Sequence, residues 1–166
     1  MGISKYPPAQ AKIAYEMLRA AGVPCLISQY RYSMFDRTVE EKSLPLAAEQ
    51  GSGFIAFSPL AQGLLTKKYL HGIPEHSRAA RSTGFLKVDQ VTEDKVGKAR
   101  RLDEIAARRG QTLAEMALAW VLKDERMTSV IVGTSSVKQL ADNLHALDNL
   151  NFTNEELAEI EGILRL

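Results

Sequence analysis

The sequence contains one cysteine, no excess of charge of either sign and no long apolar run, and each shortage removes a class of function. Cys25 has no partner for an internal disulfide. It sits in the apolar run 24–27 with no histidine close in sequence, so it reads as a small core side chain rather than a nucleophile. That usage fits a reducing compartment, and a cytoplasmic location is expected. With 21 Lys+Arg against 20 Asp+Glu there is no global field to draw in nucleic acid or an anionic membrane surface, which leaves only local anion sites open. No apolar stretch approaches the roughly 18 residues needed to span a bilayer, and the N-terminus lacks the basic-then-apolar pattern of a secretory leader. A soluble protein is expected, and 166 residues suffice for one domain, 1–166, with a sizeable core.

What the sequence does have is concentrated in residues 53–69. Residues 53–57, Gly-Phe-Ile-Ala-Phe, read as a buried strand, and Ser58-Pro59 ends it, because proline fixes its own φ and biases the preceding residue away from helix. The turn after it places Ser58, Ala61 and Gly63, all small enough for a ligand to approach closely, at the C-terminal edge of the strand. Lys67 and Lys68 bring two positive charges to the same rim.

The rest of the chain alternates strand and helix signals. Residues 1–4 form a strand stub. Pro7-Pro8 opens a helix with Ile13, Met17, Leu18 and Ala21 at helical spacing, closed by Gly22. A second strand spans 24–29, a polar and aromatic loop 30–38, and a helix 39–50 despite Pro45. Residues 62–91 are a long loop rich in glycine, serine and basic residues, a length that in compact domains marks function or disorder. Helix 92–109 turns Val96, Leu102, Ile105 and Ala106 inward. Thr112 with Glu115 is a capping box opening a helix whose apolar stripe is Leu113, Met116, Ala117, Trp120 and Val121. Strand 129–132 runs into Gly133-Thr134-Ser135. Ser136 with Gln139 then caps a helix over 137–147, whose start, beside Ser135 and Lys138, is a candidate anion site. Thr153 with Glu156 caps a last helix with Leu157, Ile160 and Leu164 on one face. This order implies parallel strands joined by right-handed crossovers, with Ser4, Gln29, Ser58 and Gly133 at one C-terminal face where α/β proteins bind ligands. About four strands leave the outer ones with unpaired edges.

Three motifs carry a resemblance: Phe-Ser-Pro-Leu-Ala-Gln-Gly-Leu-Leu, Gly-Ile-Pro-Glu-His-Ser-Arg and Ser-Val-Ile-Val-Gly-Thr-Ser-Ser. With them the chain resembles the C-terminal half of an aldo-keto reductase, strands five to eight of a (β/α)8 TIM barrel, over nearly all its length. The branch it is most similar to holds the bacterial L-glyceraldehyde 3-phosphate reductases and the potassium-channel beta subunits. The resemblance implies an α/β fold of about four parallel strands with flanking helices and NADP(H) as cofactor. It implies that Ser4 and Gln29 hydrogen-bond the nicotinamide carboxamide, with Phe57 against the ring. Ser58, Leu60, Ala61 and Gly63 would cradle the pyrophosphate, with Lys68 and Arg78 adding charge. Ser135, Gln139, Asp142 and Asn143 would hold the adenosine end. Lys5 stands where relatives often have Asn or Arg, and Gln139 where some have Arg on the 2′-phosphate; with these two departures, a preference for NADPH over NADH is expected.

The family's catalytic Asp, Tyr, Lys and His belong to the first four strands, and the resemblance gives this chain no counterpart of any of them. Tyr6, Tyr30, Tyr32 and Tyr69 do not take the proton donor's place, nor do His71, His76 and His145 take the histidine's. Three readings are open: the cofactor half of a carbonyl reductase, inactive alone; a non-enzymatic module that binds a nucleotide or a partner; and a half-barrel that a second copy closes. A small carbonyl substrate is expected of the intact enzyme, with neither nucleic acid nor membrane as partner and no metal site.

Overall fold

The computed structural model describes residues 1–75, 77, 79–80 and 86–166. They form two compact units, one of Met1–Pro59 with Val121–Val132 and one of Leu60–Trp120 with Gly133–Leu166.

The first unit is built on four parallel strands in the order β1 (Gly2–Ser4), β2 (Ile27–Arg31), β3 (Gly53–Phe57) and β4 (Met127–Ile131). The expected α/β sheet is there, with two strands displaced along the chain. β2 starts at Ile27 rather than 24, because Pro24 brings no N–H and the ladder opens where Leu26 donates to the Met1 carbonyl at 2.8 Å. β4 starts at Met127, two residues before the expected strand, because Met127 pairs with Phe54 and Ser129 with Ile55, which leaves Thr128 as an extra residue between them. The Thr128 hydroxyl accepts the Phe54 N–H at 3.1 Å, so the bulge leaves no donor stranded. Gly53 is required beside it: a Cβ there would stand 2.9 Å from Thr128 Oγ1.

Register sorts the sheet into two faces. Ile3, Ser28, Phe54 and Met127 form one row, all buried, and Tyr30 stacks on Phe54 with ring centroids 5.1 Å apart. Against this face lies a buried polar thread from the Tyr15 hydroxyl to Ser28 Oγ (2.5 Å) and on to Ser52 Oγ (2.9 Å), which keeps buried hydroxyls satisfied among Ile3, Ala11 and Cys25. The other face carries the rows Ser4, Gln29, Ile55, Ser129 and Arg31, Phe57, Ile131, none of them fully buried.

Helix α1 (Pro8–Ala20) starts at the expected prolines, but it turns a different face inward. Ala11 and Tyr15 are buried, while Ile13 and Met17 are 57% and 68% exposed. Residues 11 and 15 share the i, i+4 spacing of 13 and 17, and the bond from Tyr15 to the sheet decides between them. Helix α2 (Ser43–Glu49) is shorter than the expected 39–50 and places Pro45 in its first turn, where a missing N–H removes no helical bond.

The second unit holds α3 (Glu93–Arg108), most of α4 (Leu113–Leu122), α5 (Val137–Leu144) and α6 (Asn154–Arg165), with short 3-10 turns at Ala61–Gly63, Lys67–Tyr69, Val88–Gln90 and His145–Asp148. The Thr112–Glu115 and Thr153–Glu156 boxes form as expected, each with both reciprocal bonds. The stripe of α4 is buried, Trp120 included. In α6 the buried residues are Ile160 and Ile163, with Leu157 and Leu164 half-buried. Helices α3 and α6 pack together, pinned by Arg109, whose side chain is 2% exposed. Its guanidinium binds Glu156 at 2.5 Å, donates to the carbonyls of Asn149 and Asn151, and lies 3.7 Å over the Phe152 ring. No described helix is long and apolar enough to cross a membrane.

Candidate functional site

β1 and β3 both leave the sheet through a left-handed residue, Lys5 at φ 59° and Ser58 at φ 55°. Left-handed backbone disfavours a side chain, so a lysine and a serine held there mark the C-terminal rim as the strained part of the unit. Lys5 donates its N–H to the Gln29 carbonyl at 2.9 Å, the last rung of the β1–β2 ladder. Ser4 and Gln29 are direct partners across the β1–β2 ladder and share one face. A hydroxyl and a carboxamide thus stand side by side at the rim, together able to donate to and accept from an amide edge. Phe57 lies on the same face in the next row, half-buried between Arg31 and Ile131. Ser129 completes the row of Ser4 and Gln29; it was not among the expected site residues, and only the register across the bulge reveals it.

Of residues 30–38, expected as a loop, Tyr30 and Arg31 extend β2, and the rest hold a network that reaches Glu40. The buried Tyr32 hydroxyl donates to Glu40 Oε1 at 2.8 Å, and Arg37 holds both oxygens of the same carboxylate at 2.8–3.0 Å. Burial, then the bond to Glu40, pushes the Tyr32 phenol far above its ordinary value, and burial pushes Tyr30 up to about 12. Both hydroxyls are committed to partners within this unit, Tyr32's to Glu40 and Tyr30's to the Tyr6 carbonyl at 2.8 Å. The Arg126 guanidinium, bonded to Asp124 at 2.5 and 2.8 Å, holds that carboxyl below its usual range.

The remaining expected residues belong to the second unit, and Arg78 lies outside the described residues. Ala61, Gln62 and Gly63 form a left-handed run at φ 47°, 60° and 100°. Ala61 is buried and Leu60 half-buried, so whatever this turn offers a ligand it offers through backbone rather than through those side chains. A Cβ on Gly63 would meet Tyr69 Cε2 at 3.4 Å, an ordinary contact, so it is the φ of 100° that favours glycine there. Thr66 ties the turn to the lysine pair: its hydroxyl donates to the Gly63 carbonyl at 2.7 Å and accepts the Lys68 N–H at 3.2 Å. The Lys68 side chain is exposed, and Lys67 pairs with Asp103 at 3.5 Å.

At the start of α5, Ser136 accepts the Gln139 N–H as expected. The return contact differs: Gln139 Oε1 takes the N–H and hydroxyl of Ser135, at 2.9 and 3.1 Å, one residue before the cap. Asp142 binds Lys138 of its own helix at 2.8 Å. Asn143 is buried, and its Nδ2 has no hydrogen-bond partner. Apart from the Tyr69 hydroxyl, it is the one such buried side-chain atom among the described residues. A cavity of about 590 Å³ in this unit is lined by Lys67, Arg109, Gln111, Thr112, Glu115 and Asp148 among others; of the expected residues it includes Lys67 alone.

The family model for the aldo/keto reductase family matches residues 1–165. The chain is 46% identical over 165 residues to an L-glyceraldehyde 3-phosphate reductase of Escherichia coli O157:H7, an alignment that covers 97% of this chain and 48% of the relative. It is 44% identical to the protein of the same description from Escherichia coli strain K12, with the same coverage. The chain therefore spans about half the length of the curated relatives it matches.

Proposed function

The chain belongs to the aldo/keto reductase family, and from that premise we propose that it supplies the dinucleotide-holding half of an NADPH-dependent reductase of aldehydes or ketones. One observation carries the cofactor part of this reading: the Nδ2 of Asn143, buried on α5 without an acceptor. A buried donor left unpaired costs about 1–3 kcal/mol, a penalty that an acceptor on a bound adenine would remove. When bound, the reduced nicotinamide supplies a hydride to a carbonyl carbon.

This chain's residues bind and orient. Ser4 and Gln29 present the paired hydroxyl and amide that fix the carboxamide, and so set which face of the ring is offered. Phe57 gives the ring an apolar surface. Backbone N–H groups of the turn over 61–63 and the charge of Lys68 suit the pyrophosphate, and the start of α5 suits the adenosine side. The proton that a reduced carbonyl must gain is assigned to no residue here.

Calorimetric titration of the chain with NADPH tests the reading. Saturable binding is expected, weakened about tenfold or more by Lys68→Ala and several-fold by Asn143→Ala, while Lys123→Ala leaves it unchanged. Equal affinities for all four proteins, or no saturable heat, would show that these residues do not hold a dinucleotide.

A further inference from the structure

Four arginines belong to the first unit, and three of them commit a terminal amino group to a partner inside it. Arg19 Nη2 donates to Gln50, Arg37 Nη2 to Glu40 and Arg126 Nη2 to Asp124. Arg31 is the exception. Its Nε stands 3.2 Å from Asp36 Oδ2, and its Nη1 and Nη2 make no hydrogen bond among the described residues. Asp36 is itself fixed. It donates its N–H to the Ser33 carbonyl at 3.1 Å, accepts the Ser33 N–H at 3.0 Å, and takes the Thr38 hydroxyl on Oδ1 at 3.0 Å. A fixed carboxylate thus holds the inner edge of the guanidinium while the outer fork stays open, on a side chain 49% exposed.

The place of the fork decides what it takes. Arg31 ends β2, pairs with Phe57 across the β2–β3 ladder and lies two residues beyond Gln29, so all three stand on one face of the sheet. Ser58 follows Phe57 at once, left-handed and half-buried. With Gln29 and Phe57 meeting the nicotinamide and Ser58 the pyrophosphate, Arg31 stands beside the step from ring to phosphate. A planar fork with two open amino groups matches a pair of phosphate oxygens, which a point charge would not.

We propose that Arg31 holds the phosphate carried by the nicotinamide ribose, a contact that rests on the dinucleotide-binding function proposed above and adds a residue the family resemblance does not include. Its role is positioning as well as affinity. Ser4 and Gln29 fix the carboxamide end of the ring, and a phosphate anchored beside Phe57 fixes the ribose end, so the ring is held from both sides.

Calorimetric titration of the 166-residue chain with NADPH and with 2′,5′-ADP, which has the adenosine-side phosphates and lacks the nicotinamide-side one, tests the contact. Arg31→Gln should weaken NADPH binding about tenfold and leave 2′,5′-ADP unchanged. Arg31→Lys, which keeps the charge and loses the fork, should recover part of the loss. Lys12→Gln, at an exposed lysine of α1, should alter neither ligand. Added salt should weaken NADPH binding less steeply in Arg31→Gln than in the parent. Equal loss for both ligands overturns the proposal, since it would reflect a general positive field. An unchanged NADPH affinity in Arg31→Gln removes this contact alone; if that variant also binds glyoxylate, a carbonyl compound with its own anion, more weakly in the presence of NADP⁺, the fork faces the substrate instead. A parent chain with no saturable NADPH binding removes the dinucleotide function and this contact together.

Discussion

At Gln62 the backbone holds a long polar side chain at φ 60°, one residue before a glycine at φ 100°. Left-handed backbone costs an L-residue about 1–2 kcal/mol, and a glycine put there relieves that cost but gives part of it back through the greater freedom of its unfolded chain. Gln62→Gly should therefore raise stability by up to about 1 kcal/mol, and Gly63→Ala should lower it by about 1–2 kcal/mol, in paired urea melts. Were the turn indifferent to φ, the glycine substitution would be the destabilising one. Asp124 gives a pH signature. Its folded-state pKa lies below the ordinary 3.8, so the unfolded chain takes up a proton more readily. The stabilisation is complete above 3.8 and is lost as pH falls through the folded value. Asp124→Asn should be less stable than the parent at neutral pH, and the gap should close only below the ordinary carboxylate range. At this scale the sequence was readable where strand order placed the residue, as with Ser4 and Gln29 on neighbouring strands. It was silent on Tyr32, Arg37 and Glu40, because a phenol, a guanidinium and a carboxylate in an irregular loop obey no period that a one-dimensional pattern could expose.

Helix boundaries were the most legible elements, and the reason is chemical. A capping box needs two side chains three residues apart and nothing from the rest of the fold, so Thr112 with Glu115 and Thr153 with Glu156 could be identified without knowing what lay around them. Inward faces were less legible. A 3.6-residue period states that a helix has two sides and leaves open which is buried, and both α1 and α5 bury the less apolar one. Strand ends moved for a similar reason, since a bulge at Thr128 is decided by its partner Phe54, far off in sequence. Arg109 joins elements in the second unit and sets a test at this scale. A lysine there would keep the charge but lose the fork that reaches Glu156 and two carbonyls at once. Arg109→Lys should cost about 2 kcal/mol, measured by denaturant melts, and Arg108→Lys, at an exposed neighbour, under about 0.5 kcal/mol.

For the molecule as a whole, cofactor binding and catalysis should separate. A positioned proton donor contributes about 10²–10⁴-fold to such a reduction, and the proposed role of this chain, holding the dinucleotide, supplies none. Purified chain mixed with NADPH and methylglyoxal should show no turnover above a heat-killed control even where NADPH binding is measurable. Steady oxidation that survives Tyr30→Phe and Tyr32→Phe would mean that another group donates the proton. The Thr128 bulge and the pairing of Phe54 with Met127 also bear on how the chain comes to be folded. β4 is made long after β3, and the entire run of residues from Leu60 to Trp120 belongs to the other unit. During synthesis β3 must wait with one edge bare until that whole intervening segment has emerged. Long-range pairing of this kind is slow, and the waiting strand, Gly-Phe-Ile-Ala-Phe, is apolar throughout. The newborn chain should therefore be at greatest risk of aggregation in that interval, and a ribosome stalled before residue 127 should expose a chaperone-binding segment that one stalled well after it does not.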